Sequence, residues 1–165
     1  MRKLILALAA AALCAGCVNS QPQPRLAKFD PAEYAPYERE GTGSVVGQAF
    51  VVTKGGDVKL GAGRTVDLHP VTSVSTETHE RLVVGYTPLQ WNYDTETLNR
   101  LHHATRYATA DGNGRFRFDN LPAGEYYISC SINWYITEYQ KSGGIAYAKV
   151  KVEEGKTTEA IVTRR

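Results

Sequence analysis

Turn signals and alternating apolar residues follow one another over residues 108–134, and this pattern limits the folds open to the chain more than any other part of the sequence. Residues 111–114 and 121–124 contain the Gly, Asn, Asp and Pro that favour tight turns, including the positive φ that a hairpin requires. Apolar and polar residues alternate beside these turns, which is the period of a β-strand. The second strand has one apolar face, formed by Tyr126, Ile128, Cys130, Ile132 and Trp134. The stretch predicts two consecutive strands with a buried face, the first turn closing a hairpin.

Similar short runs, separated by turn signals, extend from about residue 44 to the end of the chain and give about seven strands. This spacing is typical of an all-β sandwich. In one of these strands His69 alternates with apolar residues and is expected to point outward. Residues 74–106 break the rhythm, and Asp94 stands where the N-cap of a short helix is expected. We therefore expect one domain at 44–165, a seven-stranded β-sandwich with a short, partly helical insertion at about 74–106.

The N-terminus has the layout of an export signal. Arg2 and Lys3 precede an apolar run over 4–13, which is shorter than the roughly 20 residues that span a bilayer as a helix. The following Ala15-Gly16-Cys17 resembles a bacterial lipobox, in which the cysteine is acylated and becomes the first residue after cleavage. We predict a lipoprotein signal peptide at 1–16 and lipidation of Cys17. The alternative is an ordinary secretory peptide with an incidental cysteine.

Residues 17–43 are expected to form a tether and an edge segment, because their first part is polar, contains Pro and has too little apolar content to fold. Asp30-Pro31 has the pattern of a helix N-cap followed by Pro in the first turn, and Pro36 limits that helix to one or two turns at the edge of the domain. Many Gram-negative lipoproteins retained in the inner membrane carry Asp after the lipidated cysteine, whereas this chain has Val18. We therefore expect a lipid-anchored protein of the bacterial cell envelope, at the outer membrane and facing the periplasm.

The charge of the chain argues against nucleic acid as a partner. Removing residues 1–16 takes away Arg2 and Lys3, which leaves 17 basic residues against 17 acidic ones. The sequence contains no run of Lys and Arg and no nucleic-acid-binding motif. Cys130 is left alone on the apolar face of its strand and is expected to be a buried structural thiol. We expect no cofactor.

Part of this pattern resembles a known family. The run from Asp111 to Tyr127, together with Val45, Gly47 and Ala49 near the start, is similar to carboxypeptidase regulatory-like domains, which are transthyretin-like (prealbumin-like) β-sandwiches. The resemblance covers roughly residues 44–163 and is specific for the fold. It implies a non-catalytic module of an extracytoplasmic protein, with a carbohydrate-binding-like fold and partners that vary within the family.

Enzymatic activity is not expected. The nearest enzyme on a related fold, a transthyretin-like hydrolase, ends in Tyr-Arg-Gly-Ser, whereas this chain ends in residues 162–165, Val-Thr-Arg-Arg. No nucleophile paired with a base and no paired carboxylates stand out. Asp111–Gly114 is similar to the start of a calcium loop, but Phe116 and Pro122 occupy the positions where Gly and Glu are needed.

Metal binding is not expected either. The candidate ligands all lie in the insertion: Glu77, His79, Glu80, His102 and His103. Adjacent residues such as His102 and His103 point apart on a helix, and no further His or Cys completes a set. Solvated surface histidines explain these residues better.

Aromatic residues are the remaining candidates for ligand binding. They are Trp91 and Tyr93 in the insertion, with Tyr86 nearby, and Trp134 and Tyr135 at the end of a strand, with Tyr139 nearby. Large rings can anchor a protein partner or stack on sugars, but they can also pack the insertion onto the sandwich. Our preferred hypothesis is an accessory module that binds another envelope protein through the insertion. The alternative is carbohydrate or peptidoglycan binding through Trp91 and Trp134.

Overall fold

The structure is a computed structural model that describes residues 27–84 and 93–164, without the side chains of 82–84. The helices in these ranges are α1 (Pro31–Tyr34), α2 (Ser73–Val84) and α3 (Thr95–Ala104), and a 3₁₀ turn (Ala35–Tyr37) follows α1. The strands are β1 (Gly43–Val52), β2 (Val58–Leu60), β3 (Thr65–Pro70), β4 (Arg106–Thr109), β5 (Arg115–Leu121), β6 (Gly124–Tyr135), β7 (Lys141–Val152) and β8 (Thr157–Arg164). No helix among the described residues is long and apolar enough to cross a membrane.

The strands form one curled sheet whose two halves face each other as a sandwich. The strand order is β2-β1-β8-β7-β6-β3-β4, and β5 pairs with β1. Paired strands are antiparallel except β1 and β8, which are parallel. In the part of the chain that the structure describes, one residue pair, Tyr147 with Thr163, joins β7 to β8, and the sheet bends there. The predicted fold class, an all-β transthyretin-like sandwich with a short, partly helical insertion, is confirmed, with eight strands within the described ranges in place of about seven.

The core lies between the two halves of the sheet. The predicted apolar face of β6 is in it: Tyr126, Ile128, Cys130 and Ile132 are buried, and the half-buried Trp134 packs against them. The rings of Phe116 and Phe118 from β5 pack edge to face with centroids 5.8 Å apart, and Val45 of β1 is fully buried. Burial raises the pKa of the Cys130 thiol to about 11, so the thiol stays protonated at neutral pH. Cys130 is a structural residue, as predicted.

The turn at Asp111–Gly114 is tight, but it does not close a hairpin. The Gly114 amide donates to the Asp111 carbonyl at 2.9 Å, and Gly114 has a φ of 73°. However, β4 pairs with β3, whereas β5 pairs with β1. The prediction of a hairpin is therefore wrong, because the turn carries the chain from one half of the sandwich to the other. Local turn residues fix the reversal of the chain but not the partner of the next strand.

The insertion contains more regular structure than predicted. The helix capped by Asp94 is confirmed, since its carboxylate accepts hydrogen bonds from the Thr97 amide (2.8 Å) and hydroxyl (2.9 Å). Helix α2 and strand β4 were not predicted. Polar and β-branched residues give α2 a weak helical signal, and β4 has four residues and a single pairing partner, β3. Both elements depend on packing against the sandwich.

The edge segment forms the short helix predicted from Asp30-Pro31. The Asp30 carboxylate accepts from the Ala32 amide at 2.9 Å. Tyr34 is 1% exposed; its hydroxyl accepts from the Thr72 hydroxyl at 2.8 Å, and its ring stacks on Phe29 with centroids 4.3 Å apart. The Glu33 carboxylate accepts from the Ser73 amide at 2.7 Å. Residues 27–38 therefore fasten the start of α2 to the sandwich.

The outer face of β3 and β6 is covered by the helices. His69 points away from the core, as predicted, and is largely buried on that face. The Thr105 hydroxyl donates to the Leu101 carbonyl at 2.7 Å and lies 2.9 Å from His69 Nδ1. Since that hydroxyl has one proton, Nδ1 of His69 is the donor to Thr105 Oγ1. Sequence alternation gives the face of a strand but not what covers that face.

Candidate functional site

A cleft of about 780 Å³ opens at one end of the sandwich, where the two halves of the sheet separate. We call it the end cleft. It is lined by residues 51–55, Asp57, Lys59, 134–136, 142–144 and Arg164. Its size lies within the range of small-molecule binding sites.

One wall comes from the end of β1 and its neighbours. Val51 is buried and is the register partner of Lys59 on β2 and of Arg164 on β8. Because directly opposite residues share a face of the sheet, the two basic side chains flank Val51 on its inner side. The turn between β1 and β2 is closed by the Thr53 amide, which donates to the Asp57 carbonyl at 2.9 Å. Gly56 in that turn has a φ of 90°, which favours glycine.

The other wall comes from the ends of β6 and β7. Trp134 lies opposite Ser142, and Tyr135 lies opposite Lys141. Successive residues of a strand point to opposite faces, so Trp134 packs inward against the core while Tyr135 points outward at the rim. Tyr135 is 71% exposed. The end cleft therefore has one anchored ring and one free ring at its edge.

Two glycines of β7 leave part of this wall without side chains of its own. A Cβ atom at Gly143 would lie 2.1 Å from Asn133 Oδ1, and one at Gly144 would lie 2.8 Å from Arg164 Nη1. The side chains of Asn133 and Arg164 thus occupy the space that larger residues on β7 would fill. Glycine within a strand often marks such close approach, and the Gly143-Gly144 pair was the sequence signal for this site that our sequence reasoning missed.

The chemistry of the end cleft suits binding. Among the described residues that line the end cleft, Asp57 is the one carboxylate, and there is no histidine or cysteine. The hydroxyls of Thr53 and Ser142 therefore have no imidazole base within the lining. Amide, hydroxyl, ammonium and guanidinium groups lie beside aromatic surface, which is the composition of a site for a polar organic ligand.

The structure separates the predicted ligand-binding residues. Trp134 and Tyr135 both line the end cleft. Tyr93 does not; it is 8% exposed, and its hydroxyl donates to Glu77 Oε2 at 3.2 Å. Burial raises the pKa of the Tyr93 hydroxyl. Trp91, like Cys17, lies outside the described residues, and their predicted roles stay predictions.

The histidines weighed as metal ligands have other neighbours. The His79 ring stacks on Tyr127 with centroids 4.1 Å apart and meets Tyr147 edge to face. Glu77 pairs with Arg81 at 2.6 Å. Within residues 27–84 and 93–164, no group of three or more His, Cys, Asp and Glu side chains could hold a metal ion.

A second cavity, of about 420 Å³, lies beside residues 27–38. Phe29 and Tyr34 form part of its wall, but they stack on each other, and the Arg100 guanidinium lies 5.2 Å from the Phe29 ring centroid. Arg100 also donates to Glu96 at 2.9 Å. Because these groups already contact one another, this cavity offers fewer free groups to a ligand than the end cleft.

No protein-family model matches the chain, and no curated protein is significantly similar to it. Among solved structures, a Pseudomonas aeruginosa protein proposed to bind carbohydrate is 28% identical over 85% of this chain and 100% of its own, with a TM-score of 0.71. A minor pilin of Streptococcus agalactiae is 21% identical over 75% of this chain and 44% of its own, with a TM-score of 0.40. The pilus backbone of Streptococcus pneumoniae is 13% identical over 74% of this chain and 41% of its own, with a TM-score of 0.33. The chain thus shares its β-sandwich with the Pseudomonas protein along that protein's whole length.

Proposed function

We propose that this protein is a non-catalytic carbohydrate-binding module whose ligand occupies the end cleft. The observation that carries the proposal is the pair of aromatic side chains in the end cleft, the exposed Tyr135 at its rim and the half-buried Trp134 in its wall, together with the hydrogen-bonding groups that line it. The similar Pseudomonas aeruginosa protein, proposed to bind carbohydrate, supports this function. Membership in the carboxypeptidase regulatory-like family would fit it and stays a prediction.

The two rings and the polar groups would contact different parts of a sugar. A pyranose has an apolar face of C–H groups that packs on an aromatic ring, and Tyr135 is free to provide that surface. Sugar hydroxyls accept from ammonium and guanidinium groups and donate to carboxylates, which Lys59, Arg164 and Asp57 provide. Trp134 is held by the core, so little side-chain entropy is lost when a ligand contacts it.

The experiment is calorimetric titration of the protein with cello-, chito- and galacturonate oligosaccharides. We expect at least one class to bind, and Tyr135→Ala to weaken it about fivefold, since an aromatic contact contributes about 1 kcal/mol. The matched control is Tyr139→Ala, because Tyr139 is 91% exposed in the next turn and does not line the end cleft. Absence of binding across the panel, or equal effects of the two variants, would contradict the proposal.

Lipid anchoring at Cys17 is part of the same proposal. The N-terminal segment contacts the start of β6, since a Cβ atom at Gly124 would lie 2.5 Å from the Tyr37 ring, whereas Tyr135 ends that strand. The 12 residues of β6 extend over roughly 36 Å, at about 3.3 Å per residue. This contact therefore lies at the end of β6 that is far from the end cleft, which supports a lipid anchor that leaves the cleft accessible. A Cys17→Ser variant is expected in the soluble fraction of host cells, and its recovery with the outer membrane would contradict this part.

A second candidate function is binding to an envelope protein. It is favoured by strand β2, at the edge of the sheet, where Val58 is 55% and Leu60 is 40% exposed. Exposed strand edges with apolar side chains can pair with another chain. If Val58→Lys abolished crosslinking to an envelope protein in the native host while saccharide titrations stayed flat, this second function would replace the first.

A further inference from the structure

We propose that the end cleft selects acidic saccharides, whose sugar rings carry carboxylate groups. The inference rests on the proposed function and adds the chemical class of the ligand. It follows from the charges of the lining residues and from their positions in the sheet. Of the lining residues that the structure describes, Lys54, Lys59 and Arg164 are basic, and Asp57 is the single acidic one.

The two basic residues of the β1 wall are arranged as a pair. Lys59 and Arg164 both lie opposite Val51, one on each neighbouring strand. Two strand spacings of about 4.8 Å place their Cα atoms roughly 10 Å apart on the same face. The side chains of Lys59 and Arg164 face the inner side of the sandwich, where Trp134 of the opposite wall packs. A carboxylated sugar chain lying in the end cleft would therefore pass between an aromatic ring and two cations.

Arg164 is the better placed of the two cations. Its side chain lies over Gly144, where a Cβ atom would come within 2.8 Å of Nη1 and 3.2 Å of Cδ. Among the described residues it forms no salt bridge or side-chain hydrogen bond. A guanidinium presents two parallel N–H groups to a carboxylate, which gives geometric specificity as well as charge.

Asp57 does not cancel this charge. Its carboxylate is 3.7 Å from the Lys59 ammonium, and both side chains are exposed. Exposed pairs of this kind contribute little, so Lys59 can exchange Asp57 for a ligand carboxylate at small cost. Asp57 then remains available to accept from sugar hydroxyls. The lining keeps a net positive charge with either arrangement.

The test compares trigalacturonate with its fully methyl-esterified form, which has the same rings without the charge. We expect the acid to bind at least about tenfold more tightly, as charge-assisted hydrogen bonds predict, and added salt to reduce the difference. Lys59→Gln and Arg164→Gln are expected to weaken binding of the acid more than binding of the ester, so that the ratio of the two affinities falls towards one. The control is Lys151→Gln, which removes the same charge at the Gly124 end of β7.

The outcomes separate the two proposals. If acid and ester bind equally, or if only neutral oligosaccharides bind, selection of acidic saccharides is wrong and carbohydrate binding stands. If Lys151→Gln weakens the acid as much as Arg164→Gln does, the charge effect is not local to the end cleft and the inference is also wrong. If no saccharide of either class binds, the proposed function itself fails.

Discussion

Two groups of aromatic side chains outside the core between the two halves of the sheet have opposite surroundings. On the helical side, formed by α2, α3 and residues 27–38, Tyr34, Tyr93 and His79 each contact another ring or a buried polar group. At the end cleft, Tyr135 is mostly exposed beside glycines and basic residues. The sequence presents both regions as similar clusters of aromatic residues. Their contacts indicate that the first region stabilises the fold and that the second is available to a ligand.

The largest difference between the regions is expected in stability. Tyr34→Ala removes a ring that is 1% exposed, together with the partner of the Thr72 hydroxyl. We expect it to lower the free energy of unfolding by about 3–5 kcal/mol, which is typical of large buried aromatic residues. Tyr135→Ala is expected to change it by less than about 0.5 kcal/mol. Denaturant unfolding measures the free energy of unfolding of both variants. Equal losses would contradict the difference in stability between the two regions.

The helical side is also expected to depend on pH. Burial lowers the pKa of His69 from 6.5 to about 4, so between these values the unfolded chain binds a proton that the folded protein does not. Stability due to His69 is therefore complete above about pH 6.5 and is lost as the pH falls towards 4. The loss approaches roughly 3 kcal/mol, at 1.36 kcal/mol per pKa unit.

The measurement for His69 is the free energy of unfolding between pH 7 and 4 for the wild type and His69→Asn. Asn can still donate to Thr105, but it does not titrate. The carboxylates that titrate in this range are common to both proteins, so their contribution cancels in the difference. The variant is expected to have the shallower dependence, and parallel curves would show that His69 is not buried as the structure has it.

Local signals explain which parts of this fold could be predicted. The caps at Asp30 and Asp94 and the alternation along β6 depend on neighbouring residues, and each prediction was confirmed. The cover over His69 and the partner of β5 depend on residues far along the chain, and both were missed. Lys59 and Arg164 lie on either side of Val51 although they are more than 100 positions apart in the sequence, and no local pattern can indicate this arrangement.

A smaller effect is expected from Tyr93→Phe. The substitution keeps the packed ring and removes the hydroxyl that donates to Glu77. We expect a loss of stability of about 1 kcal/mol, the net contribution of a typical hydrogen bond. Saccharide affinity is expected to stay unchanged, because Tyr93 does not line the end cleft. A drop in affinity that matches that of Tyr135→Ala would assign ligand binding to the helical side.

The ligand site can be located directly by an NMR titration of the ¹⁵N-labelled protein with the oligosaccharide that binds most tightly. We expect the largest amide shift changes at residues 51–59 and 134–144, two segments that line the end cleft. Small changes are expected over 73–81 and 95–104. Shift changes concentrated in α2 and α3, with the end cleft unaffected, would contradict the assignment of the ligand site.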